Sequence, residues 1–363
     1  MDRRTFLSAL AAPLSTAMLD AESTKKHLYV VCPGIRDLLE FGGAGILVFD
    51  MDNEHKFLKR IDTDASKNSK PRNIKGVVAN AVTRKLHFTT PESLFCFDLA
   101  AETTIWKKDL RQGCDRLSAT PDGDTLFVPS FERDIWNVVA AATGEVLSTI
   151  ETKSGAHNTI CGLDGKRAYL AGLKSPYLVV AETGTNKIVG KVGPFAAAIR
   201  PFTVNGAQTL CFVNVNELLG FEIGDLKTGK KVYRIETPGV RKGPAKRHGC
   251  PSHGIGLTPD EKETWIADAF NEKVHVFDAT IMPPRYISSV KLREEPGWIT
   301  FSLDGKYAYP STGEVIDVAT KEIVASLTDE KGRQVHSEKM VEIHFDGRTP
   351  IAAGDQFGLG RKT

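Results

Sequence analysis

The sequence predicts an all-β fold: a seven-bladed β-propeller of four-stranded blades, its ring closed by pairing the N- and C-terminal strands in one blade. Two observations carry this. A short apolar strand, a Pro-Asp or Asp-Gly turn and a second apolar strand recur, with turns at Thr120-Pro121-Asp122-Gly123, Leu163-Asp164-Gly165-Lys166, Thr258-Pro259-Asp260 and Leu303-Asp304-Gly305-Lys306. The copies stand roughly 40 residues apart, the period of one propeller blade. A second phrase, an alternating strand ending in Phe-Asp, recurs at Ile46 to Asp50, Leu94 to Asp98 and Val274 to Asp278. Its period of two is that of a half-buried strand.

The elements follow in chain order. Leu28 to Val31, Ile46 to Asp50 and Phe57 to Ile61 make three strands of a blade that lacks its innermost member. Six complete blades begin near Lys75, Asp115, His157, Arg200, His253 and Gly297. Ala142-Thr143-Gly144, Glu182-Thr183-Gly184 and Lys227-Thr228-Gly229 are turns between third and fourth strands. In the clearest blade the strands are Ile255 to Leu257, Thr264 to Ala267, Val274 to Asp278 and Tyr286 to Leu292. Met340 to Phe345 supplies the missing innermost strand of the first blade and closes the ring. Closure removes the exposed sheet edges that invite aggregation. The interval from Arg200 to His253 is longer than the others because of a Gly/Pro-rich, basic insertion, residues 238–251. Insertions between blades lie on one face and often line the binding face. The segment Cys32 to Gly45, with Gly42-Gly43-Ala44-Gly45, is a second unusual loop, expected near the same face.

The totals bound the function. The chain has 363 residues, 47 basic and 45 acidic, for a formal charge of +2. That balance argues against nucleic acid as the main partner, which wants a net basic footprint. Residues 1–24 open with Arg3-Arg4-Thr5-Phe6-Leu7 and an Ala-rich apolar run, and they resemble a twin-arginine export signal. The run from about Phe6 to Leu19 is too short to span a bilayer. The expected mature protein is therefore one propeller domain, residues 25–363, periplasmic or secreted, monomeric and with no membrane span. Of six cysteines, Cys96, Cys161 and Cys211 lie inside apolar strands and read as core. Cys114 and Cys250 precede innermost strands and read as the more reactive or bridged thiols.

In a propeller the first strand of each blade lines the central channel. Aligning the blades on their turns places Lys75, Asp115 with Arg116, His157, Arg200, His253, Gly297 with Trp298, and Lys339 with Glu338 around its mouth. Charges are rarely buried unless paired or bound to something, so their convergence on one axis is the strongest functional signal. His157 and His253 occupy equivalent positions two blades apart. With Glu338 they are the candidate catalytic groups, and the candidate ligands of one divalent transition metal ion. His336, two residues before Glu338, is an alternative ligand. Lys75, Arg72, Arg116 and Arg200, with Asp115 and Trp298, are the candidate substrate-binding residues. Arginine holds a carboxylate or phosphate through two parallel hydrogen bonds, so the expected ligand is a small anionic or sugar-like molecule. The alternative is that these cations only neutralise Asp115, Glu338 and Glu295. There is no G-x-S-x-G, H-E-x-x-H, P-loop or C-x-x-C-H.

The repeated x-P-D-G-K-x-x-Y/W-V-x and V-x-V-F-D phrases resemble the YVTN-type seven-bladed propeller repeat family, related in fold to lactonase-like propellers. The resemblance runs from about Leu28 to Gly354. It implies a lactonase, a lyase or an isomerase, metal-assisted or not. It implies equally a non-catalytic binding or protein-interaction propeller of the cell envelope, because a fold does not name a function.

Overall fold

The computed structural model describes residues 24–362; the export signal expected over 1–24 lies, but for Thr24, outside the described residues. Seven antiparallel sheets are arranged as a propeller, and the described residues contain no helix. Six blades are sequential, covering 76–109, 118–151, 156–192, 199–236, 252–291 and 299–326. The seventh is the expected composite. Met340–Asp346 pairs with Lys25–Cys32, followed outward by Gly45–Asp50 and Lys56–Ile61. The expected strands of the fifth blade fall within one to three residues of Ser252–Leu257, Glu263–Asp268, Lys273–Asp278 and Arg285–Lys291.

The core lies between neighbouring blades rather than in one centre. Phe212 and Phe221 of the fourth blade pack with Ile255, Ile266 and Phe277 of the fifth, and this pattern repeats around the ring. Each sheet thus buries both faces. That is why the two middle strands of a blade are buried almost throughout, while the outermost strand is largely exposed.

The seventh blade has one strand more than expected. Thr349–Ala353 adds inside Met340–Asp346, and the chain then crosses the channel. Gln356 accepts a hydrogen bond from the Val77 amide at 3.2 Å and donates to the Leu117 carbonyl at 3.2 Å. The Gly358 carbonyl accepts from Thr203 Oγ1 at 2.8 Å and from the Leu257 amide at 2.9 Å. Phe357 and Leu359 are buried in one cluster with Trp298, Ile199 and Phe202. This C-terminal segment floors the channel, so the cavity at the other end is a cup.

All six cysteines are free and buried. The reading of Cys114 and Cys250 as reactive or bridged is corrected on this point: burial raises both thiols, Cys250 to about 12.

Two histidines far from the channel set an acid limit. His55 Nε2 meets the Tyr309 hydroxyl at 2.9 Å, and His87 Nε2 meets the Ala141 carbonyl at 3.1 Å. Burial pushes both from 6.5 down to about 4. Unfolded, they take up protons as pH falls through 6.5; folded, they resist until about 4. The unfolded chain therefore holds more protons across that window, and stability falls as pH falls through it. Each group contributes up to about 3 kcal/mol at the full width of the shift. In urea titrations, stability is expected to drop between pH 7 and pH 5, and to drop less in His87→Gln. Equal drops in the two proteins refute this account.

Candidate functional site

The innermost strands of the third, fourth and fifth blades begin with the same irregularity. Their pairing shifts register between Ala156 and Asn158, between Ile199 and Phe202, and between Ser252 and Ile255. His157, Arg200 and His253 sit in these slips. A bulge re-aims a side chain out of the sheet's alternation, and bulges cluster beside functional sites. One backbone device thus turns three of the sequence-selected residues toward the mouth. Gly254 makes the last slip possible: its φ is +153°, and a Cβ there would lie 2.8 Å from the Trp298 Cα.

The mouth encloses a cavity of about 620 Å³. Lys75, Arg72, Arg116, His157, Arg200, His253 and Glu338 all line it, so seven of the nine expected residues are brought together. The other two lie beneath the lining. Asp115 is fully buried and accepts from His157 Nδ1 at 2.6 Å, with Lys75 Nζ at 3.4 Å. Trp298 is 2% exposed, and the Arg116 guanidinium stacks on it at 3.5 Å. Trp298 Nε1 donates to the Gln356 carbonyl. Both positions therefore support their neighbours from below.

The electrostatics are strongly asymmetric. Seven cationic side chains line the cavity against three carboxylates. Glu338 Oε2 accepts from Arg116 at 2.6 Å and from Lys339 at 2.9 Å. Burial alone would raise Glu338, but Lys339, Arg116 and His248 outweigh it and hold it well below the usual range. Burial lowers Lys339 to about 8, despite Glu338 beside it. Asp115 is likewise resisted by burial and held low by His157, Lys75 and Arg116. Arg72 is a rim group, half exposed and paired with Glu92 and Asp37.

The neutralisation expected as the alternative is thus only partial. Arg200 donates to Asn216 at 2.6 Å and to the Gly249 carbonyl at 3.1 Å, but among the described residues no carboxylate lies within 4.0 Å of it. Arg116 Nη1 is buried without a hydrogen-bond partner among the described residues.

The two histidines differ in their fixing groups. Burial lowers His157 although Asp115 pulls the other way, and burial lowers His253 much further. An ionised carboxylate only accepts, so His157 carries its proton on Nδ1 and leaves Nε2 for the cavity. His253 donates Nδ1–H to the Gly297 carbonyl at 2.9 Å and is left in the same state.

Two loops close over the mouth. The insertion 238–251 delivers Arg247 and His248, and the loop after Cys32 delivers Ile35 to Leu38. The insertion is tied down by Arg247 to Glu294 and Glu295, and by Lys246 to Glu295. Arg36 donates to the Arg247 carbonyl and joins the two loops. His248 is the residue that repeat alignment misses, because an insertion has no repeat position. Its Nδ1 lies 3.0 Å from Glu338 Oε1, and its ring stacks on His253 at 5.3 Å. One ligand atom from each of His248, His253 and Glu338 lies within 4.8 Å of the others. His157 is outside that trio, held against Asp115. His336 faces Glu294 at 2.8 Å and stacks on Phe41.

No family model and no curated protein sequence matches this chain. Among solved structures it is similar to a chain of Kuenenia stuttgartiensis hydrazine synthase. The TM-score is 0.60 at 12% identity, covering 77% of this chain and 88% of that one. At that identity the likeness is one of fold.

Proposed function

We propose that this protein binds a small carboxylate-bearing molecule in the cationic mouth of its propeller, and that His157 is the general base acting there. The observation that carries the reading is the pairing of two features in one cavity. Arg200 meets no carboxylate of the described chain, and the His157 imidazole, fixed from behind by buried Asp115, offers Nε2. Charge-assisted hydrogen bonds from arginine suit a carboxylate, and a positioned, neutral imidazole suits proton removal near neutral pH. The repeat phrases support grouping the chain with YVTN-type propellers, and that resemblance favours lactone opening. His157 would take a proton from water as the hydroxide adds to the lactone carbonyl; the ring acyl C–O bond would then break, the imidazolium would return that proton to the leaving alkoxide, and the cations would hold the carboxylate formed.

The test is calorimetric titration with a panel of sugar acids and aromatic acids, and hydrolysis of the matching lactones. Arg200→Gln is expected to weaken the bound acid about 10- to 100-fold, the worth of a charge-assisted hydrogen bond. His157→Gln is expected to keep binding and lose about 10²- to 10⁴-fold in turnover. The acid limb of the rate profile should lie below pH 6.5, because burial lowers His157 from that value. Saturable binding indifferent to Arg200→Gln, or no saturable binding of any acid, overturns the reading. Native turnover in His157→Gln leaves a binding propeller without this base.

A further inference from the structure

We infer that His248, His253 and Glu338 form a site for one divalent first-row transition ion, completed by the insertion 238–251. The inference stands beside the anion reading and does not depend on it.

Two imidazoles and a carboxylate are the ligands of His₂Glu zinc sites and of other open three-ligand centres. Here their donor atoms lie within 4.8 Å of one another, and His248 Nδ1 to Glu338 Oε1 is 3.0 Å. Ligands about 2.0–2.1 Å from one ion, at roughly a right angle, are separated by about 3 Å. A separation of 4.8 Å closes to that by about 1.5–2 Å of donor-atom movement, shared among rotations of the three side chains.

The unused atom of each ligand is held in place. A metal-binding histidine commonly gives its other N–H to a carbonyl or carboxylate, which fixes ring and tautomer. His253 Nδ1 meets the Gly297 carbonyl at 2.9 Å, and His248 Nε2 meets the Glu295 carbonyl at 3.3 Å. Glu338 Oε2 is occupied by Arg116 and Lys339, and Oε1 is the oxygen turned to the histidines. All three side chains are therefore oriented from behind, the two imidazoles by carbonyls of one loop, at Glu295 and Gly297, and the carboxylate by Arg116 and Lys339.

Gly297 admits the His248 ring: a Cβ on Gly297 would lie 2.1 Å from its Cε1. Gly297 thus serves the site twice, through its carbonyl and through its missing side chain. The Arg116 and Lys339 charges on the far oxygen oppose a cation. The ion is therefore expected at micromolar affinity, weaker than a structural zinc.

The experiment uses the full chain stripped of metal by a chelator. Zn²⁺ alone is titrated by calorimetry, and Co²⁺ alone by its visible absorption. One ion per chain is expected to bind saturably, with Kd below about 10 μM. His248→Ala, His253→Gln and Glu338→Gln are expected to weaken it at least about 10- to 100-fold. Gly297→Ala should weaken it too, with all three ligands present. His27→Gln should bind as the native chain does. Native affinity in His248→Ala overturns the inference, as does absence of saturable Zn²⁺ and Co²⁺ binding to the native chain. Loss of the ion in His157→Ala with retention in His248→Ala overturns it as well. If His253→Gln or Glu338→Gln fails to unfold cooperatively, His248→Ala and Gly297→Ala decide the question. No organic anion enters this experiment, so its outcome is separate from that of the proposed function.

Discussion

Replacing Asp115 by alanine is expected to destabilise the protein by about 3–5 kcal/mol, the cost of breaking a buried ion pair from one side. Asp115 is fully buried, with His157 at 2.6 Å and Lys75 at 3.4 Å. Without the carboxylate, Lys75 loses its ion-pair partner, while Arg116 keeps Glu338 at 2.6 Å. Lys75 keeps some access to water, its side chain being 15% exposed, which favours the lower end of that range. The sign with pH follows from Asp115 itself. Its folded-state value is held below the ordinary 3.8. Its contribution is therefore fully present above 3.8 and is lost as pH falls through the depressed value. Urea unfolding at pH 7 gives the number. A loss under about 1 kcal/mol would mean that the cations already reach solvent or other partners. Asp115→Asn keeps the shape and removes the charge, so it should cost less stability. It should still impair His157, since an amide no longer dictates which ring nitrogen carries the proton.

Removing residues 355–363 is expected to lower stability by about 5 kcal/mol. Phe357 and Leu359 are 3% and 6% exposed, and burial of two such side chains is worth about 3–6 kcal/mol. The segment also ties blades together. Its backbone and Gln356 bond to Val77, Leu117, Thr203 and Leu257, on the innermost strands of four blades or beside them. Those groups would gain water in an opened channel, so their loss adds little beyond the burial. The melting temperature should fall by about 10 °C, at roughly 2 °C per kcal/mol for a chain of this size. Hydrogen exchange should rise selectively in Gly76–Asn80, Ile199–Val204 and Ser252–Leu257. Unchanged exchange in those strands would show that the ring holds its channel without the floor.

The two variants probe features of different visibility. Asp115 was selected from the sequence because blade repeats share a frame: a residue just before an innermost strand in one copy faces the same axis in every copy. That reasoning places Lys75, His157, Arg200, His253 and Glu338 in one cavity, and the structure finds them there. It cannot distinguish a residue lining the cavity from one beneath it. Trp298 and Asp115 share the register of the lining residues, and only packing under Arg116 and His157 sets them below.

His248 and the C-terminal floor belong to no repeat. The insertion 238–251 has neither strand period nor counterpart, so its basic, Gly/Pro-rich composition indicated a loop but not its landing point. Contacts with Glu294, Glu295 and Glu338, each more than 45 residues away, bring His248 onto His253. The tail after Gly354 offers only Phe357 and Leu359 among glycines as a hint of burial.

The amino-acid sequence alone determined the number of blades, the composite seventh sheet and the ring of ionisable groups at the mouth. These rest on local periodicity, and periodicity survives in one dimension. Tertiary structure alone decided which imidazole stands beside Glu338, which end of the channel is sealed and which cation lacks a counter-charge. Each of those depends on a non-repeating segment meeting distant partners, and such a meeting is set by the packed ring rather than by the segment's own residues.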